Sequence, residues 1–282
     1  MLVFDTKDAI RAYLKSTTTD KTTIGFVPTM GALHLGHLSL IQESLFNNTF
    51  TVVSIFVNPT QFDNQEDLEK YPRTLESDIK KIATLNEAII VFAPSVSDVY
   101  EDRINSEHFD FDGLENQMEG KFRKGHFDGV GTIVKKLFEI IAPTHAYFGE
   151  KDFQQLQIIR TLVQKNNLPV KIVECPIYRE SNGLAMSSRN ERLSAFERAE
   201  ASIIFKTLTT VKSDFKQKSV AEIKSWVTQV FETHPLLTLE YFEIAEVATL
   251  LPCESRKKTI DYRAFIAVFI NNIRLIDTIS LN

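Results

Sequence analysis

The sequence predicts an α/β protein, a doubly wound parallel sheet followed by a smaller C-terminal α+β domain, and three observations carry that prediction. Short apolar runs alternate with amphipathic segments through the first 176 residues, the runs are apolar on both faces, and the pattern changes after about residue 177. A strand apolar on both faces must be covered on both sides by helices, the situation of a parallel sheet. In order, the strands are "TTIGFVP" (22–28), "FTVVSIFVN" (50–58), "AIIVFAP" (88–94), "HAYFGE" (145–150) and "VKIVECPI" (170–177). Between them "GHLSLIQESLF", "LESDIKKIATL", "VGTIVKKLFEIIA" and "DFQQLQIIRTLVQKN" carry the helical period. The βαβα order makes residues 1–176 a Rossmann-like domain, with ligands expected beyond the carboxyl ends of its strands. In residues 177–282, "SAFERAEASIIFKTLTTVKSDF" and "SVAEIKSWVTQVFETH" read as two helices, and "LTLEYFEIAEV", "YRAFIAVFI" and "IRLIDTIS" as three strands. No repeat or low-complexity linker separates the two parts.

Composition narrows the function classes. The net charge of −5 recommends neither a nucleic acid nor an anionic membrane as partner, so an anionic substrate must be held by a local cluster. Two cysteines, Cys175 and Cys253, far apart and outside any CxxC pattern, argue against a disulfide framework or a thiolate zinc site. The N-terminal stretch lacks a signal peptide's apolar core, and no window reaches the roughly 18 apolar residues of a membrane span. A soluble protein of the reducing cytoplasm is expected.

The first candidate site is "PTMGALHLGH", where a strand runs into Met30, Gly31, Ala32 and Leu33 and a helix begins close to Gly36 and His37. His34 and His37, three apart, then share one side of the helix entrance. Free backbone N–H groups and the helix dipole favour an anion there, and Gly36 lets it approach closely. Packing histidines and a two-histidine metal site are the rival readings, the second weakened because no further Cys or His follows at ligand spacing. The glycine-bracketed HxGH favours a nucleotide, whose phosphate oxygens imidazole N–H groups can bind as charge builds in transfer.

A second cluster, "GLAMSSRN", sets Met186, Ser187, Ser188 and Arg189 on a turn. Two hydroxyls and a guanidinium suit phosphate, although a capped surface turn has the same composition. Paired with HxGH, it is similar to the second signature of nucleotidyl transferases and class I aminoacyl-tRNA synthetases.

Six blocks occur in order: "PTMGALHLGH", "SIFVNPTQF", "YPRTLESD", "GKFRKGHFDGV", "AYFGEKDFQQ" and "GLAMSSRN". Together, over residues 28–190, they resemble the pantoate-beta-alanine ligase family. The resemblance implies a two-step reaction: the pantoate carboxylate attacks the α-phosphorus of ATP, and the beta-alanine amine then displaces AMP. It implies ATP as co-substrate, Mg²⁺, and a homodimer. An adenylyltransferase acting on a phosphorylated substrate, and a non-catalytic nucleotide-binding module, are the alternatives. The first would need a further basic cluster where this chain has the neutral Gln61 and Gln155, and the second would bind ATP without turnover.

The resemblance also distributes roles. Met30, Gly31, Ala32, Leu33, His34, Leu35, Gly36 and His37 become the ATP loop, with His37 either a proton donor or a hydrogen-bond donor to the phosphate bridge. Gln61 and Gln155 bind pantoate, and Gln61 later beta-alanine, with Asn58 nearby and Arg123 and His126 at the pocket's edge. Gly149, Glu150, Lys151 and Asp152 contact ATP, Lys151 pairing with phosphate and Asp152 binding the ribose or capping a helix. Ser187, Ser188 and Arg189 donate to the triphosphate from the second domain, which implies a lid. Asp78 is either an acidic residue near magnesium or an exposed helical carboxylate. Departures from the family pattern are Leu35 inside HxGH, Thr60, Lys124, and Tyr178 where a small aliphatic residue usually meets the adenine. The Tyr178 ring could stack on the base, or its backbone alone could make the contact. His108, His145 and His234 are expected to be structural.

Overall fold

The computed structural model describes residues 1–62, 65–101 and 103–282. Two compact units make up the chain, one of Met1–Glu115, Glu119–Gly149 and Gln155–Cys175, the other of Asn116–Met118, Glu150–Gln154 and Pro176–Asn282. The short pieces 116–118 and 150–154 thus leave the sequence of the first unit and belong to the second, an excursion that the linear pattern does not announce.

The first unit holds a six-stranded parallel sheet: β1 (Leu2–Phe4), β2 (Ile24–Thr29), β3 (Phe50–Ile55), β4 (Ile90–Phe92), β5 (His145–Gly149) and β6 (Lys171–Cys175), in the spatial order β1-β4-β3-β2-β5-β6. The five predicted strands are present, and their apolar faces are covered as expected: Val27, Val53, Val91 and Tyr147 are buried in one cluster with Leu33, Ile41 and Ile82. β1 is an addition, because three residues at a sheet edge, two of them exposed, carry too little period to be read. The chain proceeds outward from β2 through β3 to β4 and then returns to β5 beside β2. The switch point of the doubly wound order therefore lies between β2 and β5. Gly25 of β2 is required there: a Cβ would lie 2.1 Å from Ser44 Oγ, so only glycine lets helix Leu35–Asn47 pack this closely on the strand.

In the second unit β7 (Leu237–Glu246), β8 (Tyr262–Ile270) and β9 (Ile273–Ser280) form an antiparallel sheet. Its core joins Val227, Phe231, Ile244, Ile266 and Val268 to Ile204, Leu208 and Val211. The single helix predicted over 194–215 is two, Ala195–Glu200 and Ile203–Asp214. The backbone stays right-handed, but Ser202 N–H bonds Ala199 O and Ile204 N–H bonds Ala201 O, three residues back rather than four. Such tightening leaves the apolar period unchanged and so leaves no mark in it. Helix Val220–Glu232 begins where predicted, with Ser219 and Glu222 capping each other reciprocally.

Candidate active site

The HxGH loop is built by its two ends. Gly31 and Ala32 take successive left-handed conformations, φ 82° and 49°, turning the chain out of β2. Helix Leu35–Asn47 then starts on His34, with His37 N–H bonding His34 O at 2.9 Å. The two imidazoles lie against each other, centroids 4.0 Å apart and planes tilted by 33°. His34 N–H donates to His37 Nδ1 at 3.3 Å. An acceptor nitrogen carries no proton, so the neutral ring of His37 has its hydrogen on Nε2. Leu33 is buried in the core and Leu35 is exposed.

The conformation of this loop is imposed from helix Leu75–Ala83. Asp78, fully buried, accepts from Leu33 N–H at 2.7 Å and Ala32 N–H at 2.9 Å, and from Thr74 Oγ1 at 3.0 Å. Lys81 Nζ donates to Leu33 O at 2.6 Å. Asp78 is thus not an exposed helical carboxylate: fully buried and with both oxygens engaged, it anchors the loop. Among the described residues, no group of three or more His, Cys, Asp or Glu side chains is placed to hold a metal.

Gln61 ends the short 3₁₀ turn Pro59–Gln61. Asn58 Nδ2 donates to Gln61 Oε1 and to Gly129 O, both at 3.2 Å, while its Oδ1 accepts from Tyr100 Oη at 2.5 Å and Thr60 Oγ1 at 3.2 Å. Asn58 is buried with all four of its hydrogen-bonding positions used inside the protein, so it stands behind Gln61 rather than in contact with a ligand. Thr60, a departure from the family pattern, supplies one of those hydroxyls. Gln61 Nε2 lies 2.9 Å from Met30 Sδ, a weak acceptor that links the glutamine to the HxGH loop. Gly129 on helix His126–Ile141 must be glycine, because a Cβ would sit 2.2 Å from Thr60 O.

Arg123 and His126 converge on the same residue from the other side. His126 Nδ1 lies 2.8 Å and Arg123 Nη2 3.4 Å from Gln61 O, and Arg123 Nη1 is 3.2 Å from His126 Nε2. Arginine only donates, so His126 Nε2 accepts and Nδ1–H donates to the carbonyl. Both side chains thereby fix the backbone of Gln61.

Glu150, Lys151, Asp152, Tyr178, Met186, Ser187, Ser188 and Arg189 belong to the second unit. Lys151 Nζ pairs with Asp152 Oδ2 at 3.4 Å. The Glu150 carboxylate is held at 2.8 Å by buried Arg263, whose guanidinium lies 4.1 Å over the Phe153 ring, so a nucleotide contact by Glu150 would fall to its backbone. Ser187 Oγ accepts Arg189 N–H at 3.3 Å and shapes the Ser188–Arg192 turn. Met186 N–H donates to Tyr178 O at 3.0 Å, beside the antiparallel bridge of Arg179 with Ala185, so this carbonyl is engaged while the Tyr178 ring is exposed. Asn190, buried, ties the turn down by donating to Glu180 Oε1 at 2.7 Å and Ala185 O at 3.1 Å. Gly149 and Gln155 belong to the first unit, Gln155 half-buried on helix Phe153–Lys165.

The expected structural histidines have structural partners: His145 Nδ1 pairs with Asn48 Oδ1, His234 Nδ1 accepts from the N–H groups of Leu236 and Leu237, and His108 pairs with Asp128. The pair with Asp128 raises the His108 pKa, and burial lowers that of His145. Sequence reading missed Lys81, Thr74, Tyr100, Asn190 and Arg263. Lys81, Tyr100 and Arg263 lie outside the six blocks, while Thr74 in "YPRTLESD" and Asn190 in "GLAMSSRN" carry no phosphate-binding signal of their own.

The family model described as pantoate-beta-alanine ligase matches residues 2–280. The chain belongs to the pantoate-beta-alanine ligase family. Among the similar relatives, pantothenate synthetase of Flavobacterium psychrophilum is 63% identical with all of both chains covered, and that of Christiangramia forsetii 53% identical, likewise in full. Crystallised pantothenate synthetase from Thermus thermophilus superposes with TM-score 0.89 at 36% identity, covering 100% of this chain and 99% of that one. A pantoate-beta-alanine ligase from Francisella tularensis, complexed with beta-gamma ATP and beta-alanine, superposes with TM-score 0.80 at 33% identity, covering 100% and 98%. The fold class read from the sequence is the fold of this family, and the family is an ATP-using ligase family. No helix among the described residues is long and apolar enough to cross a membrane.

Proposed function

We propose that this family member condenses pantoate with beta-alanine to pantothenate through pantoyl adenylate. A pantoate carboxylate oxygen attacks the α-phosphorus of ATP and pyrophosphate leaves. The beta-alanine amine then attacks the acyl carbon, loses a proton, and AMP departs with the electron pair of the broken C–O bond. Adenylation is needed because a carboxylate is a poor electrophile until one oxygen is made a leaving group, and the enzyme must keep water from that intermediate.

The observation that carries the reading is Gln61, whose neutral amide is held by Asn58 and tied to the HxGH loop through Met30, while Arg123 and His126 hold its backbone carbonyl. A neutral amide binds a hydroxy acid without neutralising the carboxylate that must act as nucleophile. On this reading His34 and His37 with the loop backbone hold the phosphates, Gln61 and Gln155 hold pantoate, and Lys151, Ser187, Ser188 and Arg189 donate to the triphosphate. Asn58, Arg123 and His126 position Gln61, and Asp78 positions the loop. Magnesium rides on the ATP phosphates with few protein ligands, as its reluctance to dehydrate favours. The protein works as a homodimer in the cytoplasm, the state and compartment that the family resemblance and the two free cysteines support.

Pyrophosphate exchange into ATP tests the reaction: it is expected to require pantoate and not beta-alanine. Exchange that runs without pantoate, or only with an amino acid, refutes the proposal. Gln61→Ala is expected to raise the KM for pantoate in this assay about tenfold or more, the loss of one well-placed hydrogen bond, with the ATP KM little changed. The reverse pattern would assign Gln61 to the nucleotide.

A further inference from the structure

Tyr100, at the end of helix Val96–Tyr100, belongs to none of the six blocks, yet its hydroxyl reaches the centre of the Gln61 support. Its ring is buried, with the Phe56 ring 6.4 Å away and Lys136 Nζ 5.6 Å from its centroid, so the hydroxyl has little freedom to move. Three atoms meet there: Tyr100 Oη lies 2.5 Å from Asn58 Oδ1 and 2.9 Å from Thr60 Oγ1, which is itself 3.2 Å from Asn58 Oδ1.

We propose that Tyr100 and Thr60 are positioning residues for substrate recognition, which through Asn58 orient the Gln61 amide with its N–H donors turned away from Asn58. The polarity follows from groups that cannot reverse theirs. Gly129 O can only accept, so the Asn58 atom facing it is Nδ2, and Oδ1 faces the two hydroxyls. The second Nδ2 hydrogen goes to Gln61 Oε1, which leaves Gln61 Nε2 at the opposite end, beside the Met30 thioether. A thioether is a weak acceptor, readily exchanged for a ligand oxygen. The amide therefore offers donors, which suits a hydroxy acid with a carboxylate, and the hydroxyl pair sets that preference from behind. Without the hydroxyls Asn58 Oδ1 is buried with no donor, the arrangement that costs most, and Asn58 is driven to move and release Gln61.

This inference rests on Gln61 as the pantoate ligand. It is tested with Tyr100→Phe, Thr60→Val and the double variant, each of which removes a hydroxyl and keeps the packing shape. The readouts are the KM for pantoate and for ATP in pyrophosphate exchange, together with the thermal midpoint. Either single variant keeps one donor to Asn58 and is expected to change the pantoate KM a few-fold. The double variant is expected to raise it about tenfold or more, beyond the product of the singles, with the ATP KM within about twofold, the scale of one hydrogen bond left unmade. A double variant whose pantoate KM stays within about twofold of wild type overturns the proposal, as does an equal rise in both KM values, the mark of general loosening. Gln61→Ala measured alongside separates the layers. If it leaves the pantoate KM unchanged, the Gln61 assignment fails and this inference with it. If it raises that KM while the double variant does not, only the Tyr100–Thr60 relay fails.

Discussion

His37→Ala is expected to lower the rate of adenylate formation by about 10²- to 10³-fold with the fold intact, the usual loss when a donor to developing oxyanion charge is removed. The structure says what is lost. His37 Nδ1 accepts the His34 backbone N–H, so the form the fold supports is the neutral ring with its hydrogen on Nε2. A neutral imidazole gives up that hydrogen with great difficulty but shares it readily, and phosphoryl transfer asks chiefly for positioning and charge stabilisation. On the proposed reading His37 therefore acts as a hydrogen-bond donor rather than a proton donor. His37→Gln, whose amide N–H can stand close to the Nε2 position, decides between the roles in a single-turnover assay. Recovery of at least about tenfold over His37→Ala, part of the donor's worth, supports donation. A rate no better than that of His37→Ala means that the ring itself must ionise.

Asp78→Ala is expected to destabilise the protein by about 2–6 kcal/mol, because it strips the acceptor from two backbone N–H groups, each costing about 1–3 kcal/mol when buried and unmade. Against a total stability of about 5–15 kcal/mol this is a large fraction, and denaturant unfolding measures it directly. On the proposed reading the loop relaxes as well, so the ATP KM is expected to rise while the pantoate KM moves less. Asp78→Asn keeps one acceptor oxygen and is expected to fall between the two in both readouts. A magnesium ligand would behave differently: its loss would shift the magnesium requirement and leave stability nearly unchanged. That pattern would overturn the anchor role.

The legible parts of this chain were those whose signal is local. Val52, Val53, Val91 and Ala146 are apolar within strands because both faces of the sheet are covered, and a run of that kind is visible without the fold. His34 and His37 are three residues apart on a helix entrance, so their association follows from the helical period, and the stacked rings bear it out. The break at Ala201 and Ser202 was invisible because it changes hydrogen-bond partners and not the apolar period. The burial of Asp78 was not legible because a carboxylate on an amphipathic helix looks the same whether it meets solvent or the backbone of a loop 45 residues earlier.

By itself, then, the sequence determined the fold class, the family, and the residue types available for phosphate and hydroxy-acid recognition. These depend on periods and spacings of a few residues, and on blocks that keep their order along the chain. The tertiary structure alone decided what holds those residues in place: Asp78 and Lys81 on the HxGH loop, Tyr100 and Thr60 behind Asn58, Arg123 and His126 on the Gln61 carbonyl, Asn190 under the serine turn. Each of these acts through hydrogen bonds whose direction is set by which lone pair or N–H is already taken. That accounting exists only once segments far apart in the chain are brought within about 3 Å of one another.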